Sequence, residues 1–528
     1  MTTHPQPSAG YWQTVTVAAA LAVFALYVWL AVSNPHVALL ADDALYLLMA
    51  DLYSPWRDAT GPTYHYVRAV SHLPPVFPLY LGLLGGGADN IAAARVACAA
   101  AMTIACALVY LYALGRGCGR PTAAWVAVYV ALAPATLIHV IDIWSEGLYL
   151  ALSLAVLMYA AHIAKQPRSW PYLVLLGLLV ACAIGTRTIG VALIPVVLWA
   201  LRGAGWRTLA IVLGSLVVGH GLISVLAQTG GGESYAGQIA AAYGADPLAA
   251  LRAQLSSSLS LLPSALSKVL IYQHAPTPWQ SALLASVLLA MLAGLVTEIR
   301  RRSAIAVYFV AYLGVVLLWP YPAILDRFVY PLLPILLLLI VRGSRTLSSR
   351  RWPSILAPAA LTLAMMPALI GFSQRAMTPV PDPALADWRT TRYWLDPFRG
   401  PDPLSGIRGR AAYIDAARSV NSMVPVNACV YTTIVQMVVF WGRRAAYQPP
   451  SAQALAQPES LACQYFLAVA DAGNRPPMYP LDLLGGTAET LATIRAPGAD
   501  PAEGLVVAVL FRWPPTPTAR TTPQPESQ

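Results

Sequence analysis

The chain has 528 residues, 58% of them hydrophobic and 11% charged, with a mean hydropathy of +0.60, a composition that excludes an ordinary soluble domain. A formal net charge of +10 would suit nucleic acid only if the basic residues gathered on one polar face. They are dispersed in short loops between apolar runs, so nucleic acid is set aside as a partner and a multi-pass membrane protein is expected.

Residues 1–14 carry no Lys or Arg, and no small-residue cleavage site follows the apolar run behind them, so the first helix is expected to stay rather than be removed as a signal peptide. Eleven stretches of spanning character without Asp, Glu, Lys or Arg follow along the chain: 15–33, 96–114, 122–141, 147–164, 171–186, 188–201, 208–227, 279–297, 303–319, 328–341 and 353–372. Those at 171–186 and 188–201 are short and are expected to share a broken or tilted passage around Arg187. Residues 73–88 are apolar but interrupted by Pro74, Pro75 and Pro78 and stopped by Gly85, Gly86 and Gly87, which favours a helix at the outer interface over a crossing.

Basic residues alternate between loops. Arg116, Arg120, Lys165, Arg168, Arg202, Arg207, Arg300 to Arg302, Arg342, Arg345, Arg350 and Arg351 mark one side; the alternate loops carry only Arg187, Arg252, Lys268 and Arg327. By the positive-inside rule the sparsely charged side faces out, together with everything after residue 372. The expected architecture is a polytopic α-helical membrane domain over residues 1–372, with external loops at 34–95 and 228–278. A small external α/β domain follows at 373–513, then a disordered tail at 514–528. Strand-like runs begin at 428, 463 and 505, and a helical stretch lies near 411–423. The amphipathic middle of the long loop, 245–270, suits a helix lying on the membrane or a plain surface helix.

Cys98, Cys106, Cys118 and Cys182 lie in apolar segments, and no cysteine shows metal-ligand spacing. Cys429 and Cys463 lie in the external domain, where they either pair, if the compartment is oxidising, or remain two buried thiols.

Charges are rare here, and those near the outer face each need a partner or a task. They are Asp42 and Asp43 in ALLADDALYLLMADLYSPW, His72 in SHLPP, Asp142 and Glu146 in HVIDIWSEGLYL, Arg187 in GTRTIGVALIP, and Asp326 and Arg327 in YPAILDRFVYPLLP. Carboxylates and arginines converging on one face suit the activation of a hydroxyl with stabilisation of a phosphate leaving group. Each has a plainer alternative: Asp42 as a helix N-cap, Glu146 as a helix boundary, Arg187 snorkelling to headgroups, and Asp326 with Arg327 as a surface ion pair. His139, His162 and His220 sit on apolar helices and read as packed or interfacial.

The order of these motifs resembles the GT-C superfamily of lipid-carrier glycosyltransferases. The likeness is strongest to the branch of the lipid A 4-amino-4-deoxyarabinose transferase and the protein O-mannosyltransferases. The matching features are Asp42-Asp43 opening the first external loop with Tyr46 just behind, and the proline-rich segment after His72 leading to Gly85–Gly87 and Arg95. Glu146 or Asp142 follows the third helix, Arg187 lies between the next helices, and Arg327 heads Arg-Phe-Val-Tyr-Pro-Leu-Leu-Pro. The lipid A enzyme has a lysine before its prolines where this chain has His72 and Leu73, a departure that weakens transfer of its particular substrate.

The resemblance implies an inverting glycosyltransferase of a bacterial inner membrane, with active site and C-terminal domain periplasmic. Its donor would be a sugar on polyprenyl (undecaprenyl) phosphate and its acceptor an envelope lipid, glycan or protein. It implies Asp42, Asp43, Glu146 and Asp142 as catalytic, with a divalent cation optional, and Arg187, Arg327, His72 and Tyr46 as substrate-binding. The rivals are a membrane transporter or flippase, which would place its charges near mid-membrane on repeated halves, and a non-catalytic anchor.

Overall fold

The structure is a computed structural model describing residues 9–33, 41–61, 63–64, 67, 73–164, 169–227, 237, 240, 243–244, 246–273, 276–347, 353–377, 405–447, 462–469, 489–495 and 506–512. Two compact units are present, one formed by residues 1–34, 49–57 and 69–378, the other by residues 35–48, 58–68 and 379–528.

The first unit is helical. Six described helices are long and apolar enough to cross a membrane: Thr14–Val32, Ile91–Gly115, Glu146–Ile163, Trp206–Val225, Pro278–Arg300 and Leu356–Gln374. They belong to α1 (Ala9–Val32), α4 (Ile91–Gly115), α7 (Glu146–Ile163), α10 (Trp206–Ala227), α12 (Pro278–Arg300) and α16 (Pro353–Met377). A seventh span is available if α5 (Arg120–Leu132) and α6 (Pro134–Ile141), bent by 51° at Ala133, count as one. Pro134 lacks the amide that would continue the ladder, so the bend falls where the sequence removes a donor.

The remaining expected stretches are broken rather than continuous. α8 (Trp170–Thr186) stops at Arg187, whose backbone is extended (φ −150°, ψ 131°); a 3-10 turn over Thr188–Ala192 then leads into α9 (Leu193–Ala200). Gly190 permits this fold-back, because a Cβ there would lie 2.7 Å from Ile184 N. Similarly, the stretch from 328 is divided by Pro331 and Pro334 into α14 (Leu325–Val329), a 3-10 turn over Tyr330–Leu332 and α15 (Leu333–Leu347). α13 (Ala304–Leu317) has 14 residues. The segment at 73–88 forms only α3 (Val76–Leu83), 8 residues or about 12 Å long, too short to cross.

α2 (Ala41–Tyr53) is held at its C-terminal end. Buried Asp51 forms an ion pair with Arg57 and accepts from the amide of Ala88 (3.1 Å), while Arg57 also donates to the carbonyl of Gly85 (3.0 Å). Gly87 is required there, since any Cβ would overlap the Asp51 carboxylate and the Arg57 guanidinium.

The second unit holds a five-stranded sheet in the order β2-β1-β3-β5-β4. β1 (Cys429–Thr432) runs parallel to β2 (Ala445–Tyr447) and β3 (Tyr465–Val469); β5 (Val506–Arg512) is antiparallel to β3 and to β4 (Glu489–Arg495). Phe466 and Phe511 are cross-strand partners whose rings stack at 5.5 Å in the core. The strand-like run from 428 is only partly strand: Val435–Gly442 is a helix, α18. Helix α17 (Ser405–Met423) is terminated by Arg444, which donates to the carbonyls of Asn421 (2.9 Å) and Val424 (2.8 Å).

Cys429 and Cys463 form a disulfide that ties β1 to the start of β3 across a sequence separation of 34. Closing a loop of that length stabilises the folded state by about 3–4 kcal/mol in the chain-entropy account. The full-length Cys429→Ser/Cys463→Ser variant is therefore expected to be cleaved in residues 429–469 far faster than the parent under limited proteolysis. Equal cleavage rates would contradict this.

Candidate active site

The centre of the first unit is a buried carboxylate shared by two arginines. After α6 the chain turns through Asp142, with an extended backbone (φ −85°, ψ 152°), and the amide of Trp144 bonds back to its carbonyl (3.0 Å). Ser145 then caps α7, so Glu146 occupies the first helical turn, where the helix dipole favours a negative charge. Arg187 arrives from the break between α8 and the 3-10 turn, and Arg327 from α14. Arg187 forms an ion pair with Oε1 of Glu146, and Nε of Arg327 donates to the same oxygen at 2.6 Å. Glu146 is fully buried, and the arginine side chains are 8% and 14% exposed. Oε2 of Glu146 is buried and accepts no hydrogen bond from the described residues.

Two guanidiniums share one carboxylate oxygen in a desolvated setting. Attraction there is stronger than in water, and a buried charge lacking its partner is costly. The plainer alternative, a surface ion pair between Asp326 and Arg327, is not the arrangement found. Asp326 instead pairs with Lys268 at 3.3 Å, near the end of α11 (Pro247–Ile271), which leaves Arg327 to Glu146. The amphipathic stretch of the long loop is this 25-residue helix, capped by Asp246 and buried at its C-terminal end.

Aromatic rings hold the trio. The Arg327 guanidinium lies 4.5 Å from the Trp144 ring centroid and that of Arg187 5.4 Å from Phe328. His139 stacks on Tyr330 (4.0 Å) and meets Trp144 edge-on (4.8 Å). It is packed, as expected, and it supports the Trp144 platform under Arg327. Its Nδ1 lies 2.6 Å from the carbonyl of Ala135, which places the proton on Nδ1; Nε2 is buried with no hydrogen-bond partner among the described residues. Tyr330 donates to Thr136 Oγ1 (3.0 Å) and Tyr312 to the carbonyl of Phe328 (2.8 Å), fixing the short helical turns that present Arg327.

Of the residues expected from sequence, Glu146, Arg187 and Arg327 therefore meet directly. Asp142 is buried at the head of the same turn. Asp42, Asp43 and Tyr46 lie on the N-terminal half of α2, in the second compact unit; Asp42 is half-buried, Asp43 and Tyr46 buried. His72 lies outside the described residues. Trp144 and Tyr330 were not singled out from sequence, and aromatic residues beside charged ones at helix ends are the signal that marks them. Among the described residues no three His, Cys, Asp or Glu side chains gather in a metal-binding group, and Glu146 is taken by two arginines.

No protein-family model matches the sequence, and no characterised protein matches it at significant similarity. Solved structures do match. ArnT from Cupriavidus metallidurans in the apo state aligns with 97% of this chain and 100% of its own at a TM-score of 0.53 and 14% identity. The same protein bound to undecaprenyl phosphate aligns with 96% of this chain and 100% of its own, at 0.51 and 14%. The chain has a GT-C fold. That is the fold the motif order implied. At this identity the GT-C likeness extends to architecture and not to substrate.

Proposed function

We propose that the protein is an inverting glycosyltransferase that moves a sugar from a polyprenyl phosphate, undecaprenyl phosphate in a bacterial membrane, to an envelope acceptor. The observation that carries this reading is the trio of Glu146, Arg187 and Arg327. Its guanidiniums come from segments far apart in sequence and meet on one oxygen of a buried carboxylate. ArnT, which shares the fold, has been solved with undecaprenyl phosphate bound.

In this reading Arg187 and Arg327 bind the donor phosphate and stabilise the charge that develops on it as the bond to the anomeric carbon breaks. Asp42 accepts the proton of the acceptor hydroxyl, whose oxygen attacks that carbon from the opposite side and inverts it. A phosphate departs without protonation, so no general acid is required. Asp43, Asp142 and Glu146 orient donor and acceptor, and Tyr46 and His72 contact substrate. Residues 1–372 form the catalytic membrane domain and residues 373–513 the α/β domain, both with their working faces on the periplasmic side. That placement is supported by the distribution of loop charges and by a disulfide suited to an oxidising compartment.

Asp42→Asn is expected to remove transfer from an undecaprenyl-phosphate-linked sugar while leaving expression and thermal stability unchanged. Full activity in that variant would overturn the assignment of the base. A transporter would instead move the intact lipid-linked sugar, so release of free undecaprenyl phosphate by purified protein in detergent separates the two.

A further inference from the structure

The first unit contains a second feature that the proposed reaction does not use, an apolar groove between α1, α4 and α5 with a volume of about 430 Å³. That lies within the range of small-molecule sites. Its walls are small: Ala19 and Ala20 of α1, Ala107 of α4, and Ala124, Ala127 and Ala131 of α5. The cleft is what three helices leave when the facing positions are alanines. Near one end buried Tyr27 donates to the carbonyl of the lining residue Ala131 (2.8 Å) and lies against Cys106 (3.5 Å). Its other end is marked by Arg120 and Pro121 at the start of α5.

Three observations identify the occupant. From Arg120 to Ala131 the groove follows α5 for about 16 Å, half of the ~30 Å hydrocarbon thickness of a bilayer. A groove of that length matches the depth of one leaflet. The lining contains no acidic residue, whereas the open end carries Arg120. α5 begins at Gly119 without a side-chain cap, so its first amides add a partial positive charge at the same place. The groove opens at the other end of the α5–α6 pair from Asp142 and Glu146, which separates it from the donor phosphate.

We propose that this groove holds one acyl chain of an anionic phospholipid from the leaflet opposite the active site, with its phosphate against Arg120 at the N-terminus of α5. The chain fills the space left by the alanines down to Tyr27. The placement in the opposite leaflet rests on the active site proposed above; the groove and its lining do not.

The test is photolabelling of the purified full-length protein with phosphatidylglycerol bearing a diazirine at the end of one acyl chain. Label is expected to concentrate on peptides containing residues 15–23, 103–110 and 120–131, relative to the lipid-exposed face of α10. Unlabelled phosphatidylglycerol is expected to compete about fivefold better than phosphatidylcholine, the preference one guanidinium near a headgroup supplies. Inorganic phosphate is expected not to compete. Ala127→Leu and Ala124→Leu, each filling the groove, should lower labelling with unchanged thermal midpoints, and Arg120→Gln should bring the two lipids to equal competition. Label spread over all lipid-facing helices, equal competition by the two lipids in the parent protein, competition by phosphate alone, or undiminished labelling of well-folded groove-filling variants would each overturn the proposal.

Discussion

Glu146→Gln is expected to cost the protein its fold, whereas Arg187→Gln or Arg327→Gln should cost it mainly its activity. The asymmetry follows from the shared acceptor. Glu146 is the acceptor that both buried guanidiniums share, and breaking a buried pair by removing one member costs about 3–5 kcal/mol. Removing one arginine leaves a neutral pair with the other, so the loss approximates one charge-assisted hydrogen bond, about 1.5–3 kcal/mol. Transfer should nonetheless fall by roughly 10²–10³, the cost of deleting one donor that stabilises developing negative charge.

Thermal midpoints and initial rates of the three single variants check this. The Glu146→Gln/Arg187→Gln double variant should be more stable than Glu146→Gln alone, because it removes one of the guanidiniums that lose that acceptor. A Glu146→Gln protein as stable as the parent would mean that the trio is not the electrostatic centre described.

Gly343→Ala is expected to destabilise the bundle by about 3 kcal/mol, at the upper end for overpacking, although helix propensity alone favours alanine by about 1 kcal/mol. α12 and α15 cross so closely that a Cβ on Gly343 would overlap the carbonyl of Ala290, and one on Gly294 the carbonyl of Leu339. Both obstacles are backbone atoms, which cannot rotate aside. Small residues at such crossings let membrane helices gain packing that lipid does not provide. The same crossing brings Arg342 to Glu298 (3.0 Å), so forcing the helices apart would also loosen that ion pair. Thermal midpoint and yield of monodisperse protein in mild detergent measure the effect, and an unchanged or raised midpoint would contradict it.

The membrane character and the residues of the trio were legible because charge is scarce in this chain. An acid or arginine at the end of an apolar helix stands out from sequence alone, and Glu146, Arg187 and Arg327 did. Their pairing was not legible. Glu146 and Arg327 are separated by 181 residues, and only Lys268, from a third segment, explains why Arg327 does not pair with its neighbour Asp326. The clasp of Asp51 and Arg57 under Gly87 was hidden because the glycine turn that completes it lies further along the chain, with Gly85 28 residues from Arg57. The run VQMVVFWG looked like strand because a short apolar stretch lacks the periodicity that separates helix from strand, and packing against its own domain decides it. Strand β4, ETLATIR, sits at a sheet edge and is too polar to show the alternation of a buried strand.

The sharing of one Glu146 oxygen by both arginines bears on turnover in the proposed reaction. An incoming phosphate must compete with a ligand the protein already carries, because Oε1 of Glu146 accepts from the guanidiniums that would receive it. In that reaction the carboxylate would stand in for the phosphate, keeping the arginines aligned between cycles and weakening their grip on the spent lipid carrier. A site built from the same arginines without it would hold its product longer and return the carrier to the membrane more slowly.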